Sequence, residues 1–258
     1  MNLPLYVIAQ FIVLLLVIGL MSSVFVGLSK TLRRIQTPAI QRDRLLHYTL
    51  TVLLGWLLIL ALTPVIGLGP LESAPALLLL ILFFLPTGLL LSLFAWPAVR
   101  RLLLLVDGRW LIRIQGFRII TELMLWMGYL AGFAPLQMTF GWLNYDIIVG
   151  LSAIMGSYVF FLRGPRRPEI IIWNTFGLVS LLYWLFIAMA SLPDDHWQLF
   201  RTHIDSSFLL EVPFVWLIGF VYPLAVWMHV GSVGQLFINR KKKEHRFQSF
   251  SKHIKKKI

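Results

Sequence analysis

No cysteine occurs in the 258 residues of this chain. Disulfides, thiolate metal sites and a cysteine nucleophile are therefore excluded, while reducing and oxidising compartments stay equally compatible. Charge is scarce: 13% of residues are charged, where a soluble domain carries about 25%. Acids are scarcer than bases, 11 against 23. Signature motifs are missing as well. There is no HExxH or comparable zinc cluster, and no Walker loop, GxGxxG or GxSxG. No serine is set beside a base as an intramembrane hydrolase needs. No internal repeat supports an inverted-repeat transporter. A haem wants two facing histidines at one depth; His229 is deep in its segment, whereas His47 sits at a boundary. No cofactor is expected, and an enzyme is the least favoured class.

What the chain has instead is apolar length. Hydrophobic residues make up 59% of it and the mean hydropathy is +0.82. Several runs exceed the roughly 18 residues that mark a transmembrane helix. The expected fold is all-α, a polytopic membrane protein with seven transmembrane helices over about 5–28, 47–68, 75–97, 109–134, 143–162, 169–191 and 208–238. These form one domain, 1–238, followed by a basic tail, 239–258. The first run is too long for a signal-peptide core and has no basic residue before it, so it reads as an uncleaved first helix.

Charge alternates between the connections. All but one of the 23 basic residues fall on one side, counting the entry of the fourth helix, and Arg201 is the exception. Glu72, Asp194, Asp195 and Asp205 fall on the other. Positive-inside bias then predicts the N-terminus outside and the C-terminus in the cytoplasm. The tail, RKKKEHRFQSFSKHIKKKI, reads either as a segment drawn to anionic inner-leaflet lipid or as a disordered stop-transfer end. The net charge of +12 is therefore not read as a nucleic-acid signal.

The fourth run, RWLIRIQGFRIITELMLWMGYLAGFA (109–134), is the unusual one. Gln115, Arg118 and Glu122 share one helical face. At 1.5 Å per residue, Arg118 lies roughly 13 Å and Glu122 about 20 Å into the helix. Charges at such depth face a partner, a cavity or the bundle interior. An inner polar layer thus holds Gln115, Arg118, Glu122, Asn174 and His229, with an Arg118–Glu122 pair at i, i+4 as a candidate contact. An outer layer holds Asn144, Asp146 and Glu211 at helix starts, a candidate mouth for a cationic solute. Residues 98–118 have two readings: a helix capped by Asp107, or an interfacial hairpin turning at Asp107-Gly108.

Pro64, Pro86 and Pro223 fall inside spans, each freeing a carbonyl that needs another donor. Gly128 and Gly132, and likewise Ser152, Gly156 and Ser157, form small-residue faces that allow close helix approach. Trp110, Trp142 and Trp197 near span ends fit interfacial anchoring. Tyr222-Pro223 and Trp227 echo a helix of microbial rhodopsins, but 208–238 has no lysine for a Schiff base, so retinal is excluded.

QGFRIITELMLW, MTFGWLNYDIIVGL and PFVWLIGFVYPLAVWMH resemble segments of an uncharacterised group of bacterial seven-helix integral membrane proteins. The likeness covers about 109–230 and implies a bacterial plasma-membrane setting, with no activity attached. Three functions are expected in order. The first is a transporter-like bundle whose polar interior binds or conducts a small solute or proton. The second is a receptor or sensor acting through the tail. The third is an accessory or scaffold subunit of a membrane complex.

Overall fold

In the computed structural model the apolar runs become helices. The structure describes residues 2–66, 74–194 and 196–255, with side chains as far as 238. Glu72 and Asp195, and the last residues of the run 47–68, lie outside the described residues. Among the described residues there is no strand, only an isolated bridge between Leu162 and Gly164.

Three long helices open the chain: α1 (Leu3–Arg34), α2 (Ala39–Ile66) and α3 (Pro75–Ser92), the last extended by a 3-10 turn to Ala95. Short α4 (Pro97–Leu103) leads to α5 (Gly108–Arg113), a 3-10 segment (Ile114–Gly116) and α6 (Phe117–Ala131). Then follow α7 (Asp146–Val159), α8 (Arg167–Ala190), a π segment (Leu217–Val221) and α9 (Tyr222–Lys255). Five stretches are long and apolar enough to cross a membrane: Leu3–Arg34, Ala39–Ile66, Pro75–Ala95, Arg167–Ala190 and Leu217–Ile238. That is the mark of a membrane protein. The run expected over 109–134 is helical in three pieces, and the one expected over 143–162 holds a 14-residue helix.

The Leu217–Ile238 stretch is the axis. Within it 78% of the apolar window is buried, against 11% for α2. Around it pack α3, α5 and α8, with α7 between α5–α6 and α8, and α1 against α6. α2 rests on α1 and exposes Val52, Leu58, Ile59 and Val65. In a lipid solvent apolar exposure of this kind carries no penalty.

Capping settles residues 98–118. The Asp107 carboxylate accepts from the Arg109 amide at 2.9 Å and starts α5. The hairpin reading falls, and Arg118 is fully buried. The other end of this run departs from expectation. Gly132 adopts φ 80°, the left-handed region that glycine tolerates, and ends α6 at Ala131. A β-carbon on Gly128 would meet Phe133 and Ala134 of the chain just beyond. This glycine pair therefore stops a helix and does not bring two helices together. The chain from 133 to 145 then folds inward, with Phe133, Ala134, Gln137, Met138, Thr139 and Asn144 buried. α7 consequently starts inside the bundle.

Two helix prolines have their freed carbonyls answered. Pro64 cannot donate to the Leu60 carbonyl, which instead accepts from Thr63 Oγ1 at 2.8 Å. Pro223 leaves the Gly219 carbonyl free within the π segment, and the Trp56 indole donates to it at 2.8 Å. The Trp216 indole returns the contact, donating to the Leu57 carbonyl at 3.0 Å. Trp56→Phe keeps the ring but strands the Gly219 carbonyl, and is expected to cost about 1–3 kcal/mol. Thermal unfolding in detergent measures it; an unchanged transition would show that this carbonyl needs no donor.

Asp194, beyond the end of α8, gathers the amides of His196 (2.9 Å), Trp197 (3.2 Å) and, at the start of α3, Ala76 (3.4 Å). The His196 amide, with the others, holds its carboxyl below the usual carboxylate range.

Candidate functional site

The inward face of α6 carries Arg118, Thr121, Glu122 and Leu125. Gly150 of α7 lets the two helices meet there: a β-carbon on it would lie 2.9 Å from the Ile119 backbone nitrogen and 3.3 Å from Arg118 Cβ. One turn before Gly150 is Asp146, the first residue of α7. The contact therefore places Asp146 beside Arg118, and Arg118 Nη1 donates to Asp146 Oδ1 at 3.2 Å. Both side chains are fully buried.

Arg118 is held on three sides. Nη1 and Nη2 each donate to the Gly177 carbonyl at 3.3 Å, and Nη2 also faces His229 Nε2 at 3.2 Å. The histidine's other nitrogen, Nδ1, is 2.8 Å from Asn174 Oδ1. Asn174 Nδ2 is occupied with the Ile170 carbonyl (2.7 Å) and Ser232 Oγ (3.2 Å), so its oxygen faces the ring as an acceptor. The network thereby assigns the proton to Nδ1 and leaves Nε2 to accept from the arginine. Gly177 makes room for the ring: a β-carbon there would overlap it.

On the other side of Arg118 the chain continues through α7. Asp146 Oδ1 also accepts from Ser180 Oγ. The Asp146 amide donates to Asn144 Oδ1 at 3.0 Å, and Asn144 Nδ2 donates to Glu122 Oε1 at 2.5 Å and to the Met138 carbonyl at 2.8 Å. Gln115, on the 3-10 segment, donates to the Ala225 carbonyl at 3.0 Å. Several enclosed polar atoms have no hydrogen-bond partner among the described residues: Glu122 Oε2, Asp146 Oδ2, Arg118 Nε, Gln115 Oε1 and Tyr222 Oη.

Seven of the eight residues singled out in the sequence thus lie in the buried interior: Gln115, Arg118, Glu122, Asn144, Asp146, Asn174 and His229. The two expected layers merge. Arg118 pairs with Asp146 of the outer layer, and among the described residues it forms no ion pair with Glu122. The cause is the inward course of 133–145, which starts α7 below the surface. Glu211 stands apart, exposed and accepting from Tyr6 Oη at 2.9 Å; it forms no mouth with the buried Asp146. Sequence reasoning missed Gly177, Ser180, Tyr222 and Ser232. A signal existed for two of them, since Asn174, Gly177 and Ser180 recur every three residues as a small and polar stripe on α8.

Fold and site together describe an all-helical, membrane-embedded bundle with an ionised-type cluster at its centre. Compared with models of known protein families, with curated proteins and with solved structures, the chain matches none of them.

Proposed function

We propose that this protein is a seven-span protein of a bacterial plasma membrane, N-terminus outside and C-terminus cytoplasmic, whose buried polar chain binds and passes a proton. The five long apolar helices would be joined by the composite helix 108–131 and by α7 with its flanking turns. The one-sided distribution of basic residues supports the orientation.

The observation that carries the proton reading is the charge count around Arg118. Two carboxyl groups, Glu122 and Asp146, share an enclosed site with a single guanidinium. An uncompensated charge in such surroundings costs several kcal/mol. Asp146 answers the arginine, so charge balance assigns one exchangeable proton to Glu122, whose Oε2 has no partner among the described residues. Hydrogen bonds link Glu122 through Asn144 and the Asp146 amide to the Asp146–Arg118 pair, and Arg118 to His229 and Asn174. Glu122 and His229 are the members that would carry the proton, while the amides and the guanidinium position them. Side chains of this kind mark relays in membrane proteins.

The scaffold reading has one observation in its favour: every charged group in the cluster is fully enclosed and most of its donors are satisfied. Liposome flux separates the two. Purified protein in vesicles holding a pH-sensitive dye is expected to dissipate an imposed proton gradient faster than empty vesicles. Glu122→Gln is expected to cut that rate at least tenfold, the upper part of the range for a positioned acid–base group being larger still, while thermal unfolding stays near the parent's. No flux above empty vesicles, with Glu122→Gln changing only stability, sinks the proton reading in favour of the scaffold.

A further inference from the structure

The orphaned carboxyl oxygens at the centre of the bundle have a neighbour with the same want. Tyr222, the first residue of α9, is fully buried, its ring against the Trp184 indole with centroids 4.3 Å apart. Trp184 stands one turn after Ser180 on α8, and Ser180 donates to Asp146 Oδ1. His229 lies seven residues on from Tyr222, two turns along α9, so the two share one face of that helix. The phenol is thereby set at the carboxyl end of the cluster, where the charges of Asp146, Glu122 and Arg118 all act on its hydroxyl. Three buried oxygens there have no hydrogen-bond partner among the described residues: Tyr222 Oη, Glu122 Oε2 and Asp146 Oδ2. Thr121 is also close, but its hydroxyl is committed to the Arg118 carbonyl at 2.8 Å. A buried hydroxyl without a partner lowers stability, and phenylalanine would fill the same space without that cost. The three atoms are chemically complementary: two carboxyl oxygens, and one hydroxyl that can accept from either and donate to the other.

We infer that the Tyr222 hydroxyl relays the proton between Glu122 and Asp146. The inference rests on the proton-passing reading above and supplies a step it lacks, since the Asn144 amide and the Arg118 guanidinium position the carboxyls and carry no proton. The three oxygens stand apart in this conformation, so the transfer belongs to one in which both carboxyls have turned to the hydroxyl. Glu122 Oε2 then gives its proton to Tyr222 Oη, while the hydroxyl's own proton goes to Asp146 Oδ2. Two O–H bonds break and two form together, so the phenol is never charged. The cluster holds one proton between its two carboxyls before and after.

The test compares the full chain in dye-loaded vesicles with Tyr222→Phe and, as a control, Tyr6→Phe. Tyr222→Phe keeps the ring against Trp184 and removes only the hydroxyl. It is expected to slow proton flux by about tenfold or more, with the melting transition in detergent unchanged or higher. Tyr6→Phe removes a hydroxyl that donates to Glu211 outside the cluster, and should leave flux at the parent's rate. A hydroxyl that merely packs would let Tyr222→Phe pass protons as fast as the parent, and that result overturns the relay while leaving the proton reading in place. A parent without flux removes both. A Tyr222→Phe protein that melts lower than the parent, or a Tyr6→Phe protein slowed as much as it, would also overturn the relay, because the loss would then come from packing or from any tyrosine.

Discussion

Asp146→Ala is expected to destabilise the protein by about 3–5 kcal/mol, the usual cost of stripping a buried charge of its partner. The arginine left behind cannot discharge itself, and its remaining contacts are a carbonyl, Gly177, and the ring of His229. Arg118→Ala should cost less, because a carboxyl deprived of its cation can take a proton. The double variant should lie above Asp146→Ala, no lone cation remaining. A double-mutant cycle in detergent, read by thermal unfolding, then gives a coupling within the 0.5–3 kcal/mol typical of side chains in contact. The same cycle with Glu122 in place of Asp146 should give a smaller one. Strong coupling of Arg118 to Glu122 and none to Asp146 would overturn the Arg118–Asp146 pairing.

Gly177→Ala is the smallest substitution with a large expected effect. The added methyl falls on the His229 ring, and the neighbouring carbonyl is the one that receives both Arg118 nitrogens. Overpacking alone costs typically 1–3 kcal/mol. Here relief requires moving the ring away from Arg118 and Asn174, so the loss is expected at or beyond the top of that range. Removing the ring should cancel it: in a His229→Ala background, Gly177→Ala should change the melting transition little. If the alanine costs as much without the ring as with it, the helix backbone and not the histidine is what position 177 accommodates.

Much of the fold was legible because bilayer helices announce themselves by apolar length. Leu3–Arg34, Pro75–Ala95 and Arg167–Ala190 lie close to the runs expected at 5–28, 75–97 and 169–191. The run at 109–134 was legible as a helix, but its 3-10 interruption and early stop at Gly132 were not, since neither changes hydropathy. The candidate residues were found by a simple signal, polar side chains where none should be. Their pairing was not found, because depth was counted from helix ends taken to lie at the surface. The segment 133–145 breaks that assumption: it is apolar enough to fold inward, and it carries Asn144 and Asp146 with it. Gly177 escaped notice for another reason, since its contribution is a backbone carbonyl and an absent β-carbon, and neither has a residue type to read.

The full enclosure of Arg118, Glu122, Asp146 and His229 has a kinetic side. Nothing from bulk solvent reaches them in this conformation, so any exchange with the medium waits on the helices parting. The isotopic composition of the medium would then set how much label the cluster finally holds, while its rate of arrival would track the opening of the bundle. Conditions that loosen helix packing, such as a thinner bilayer or a packing substitution at Gly150, would quicken that arrival without altering where it levels off.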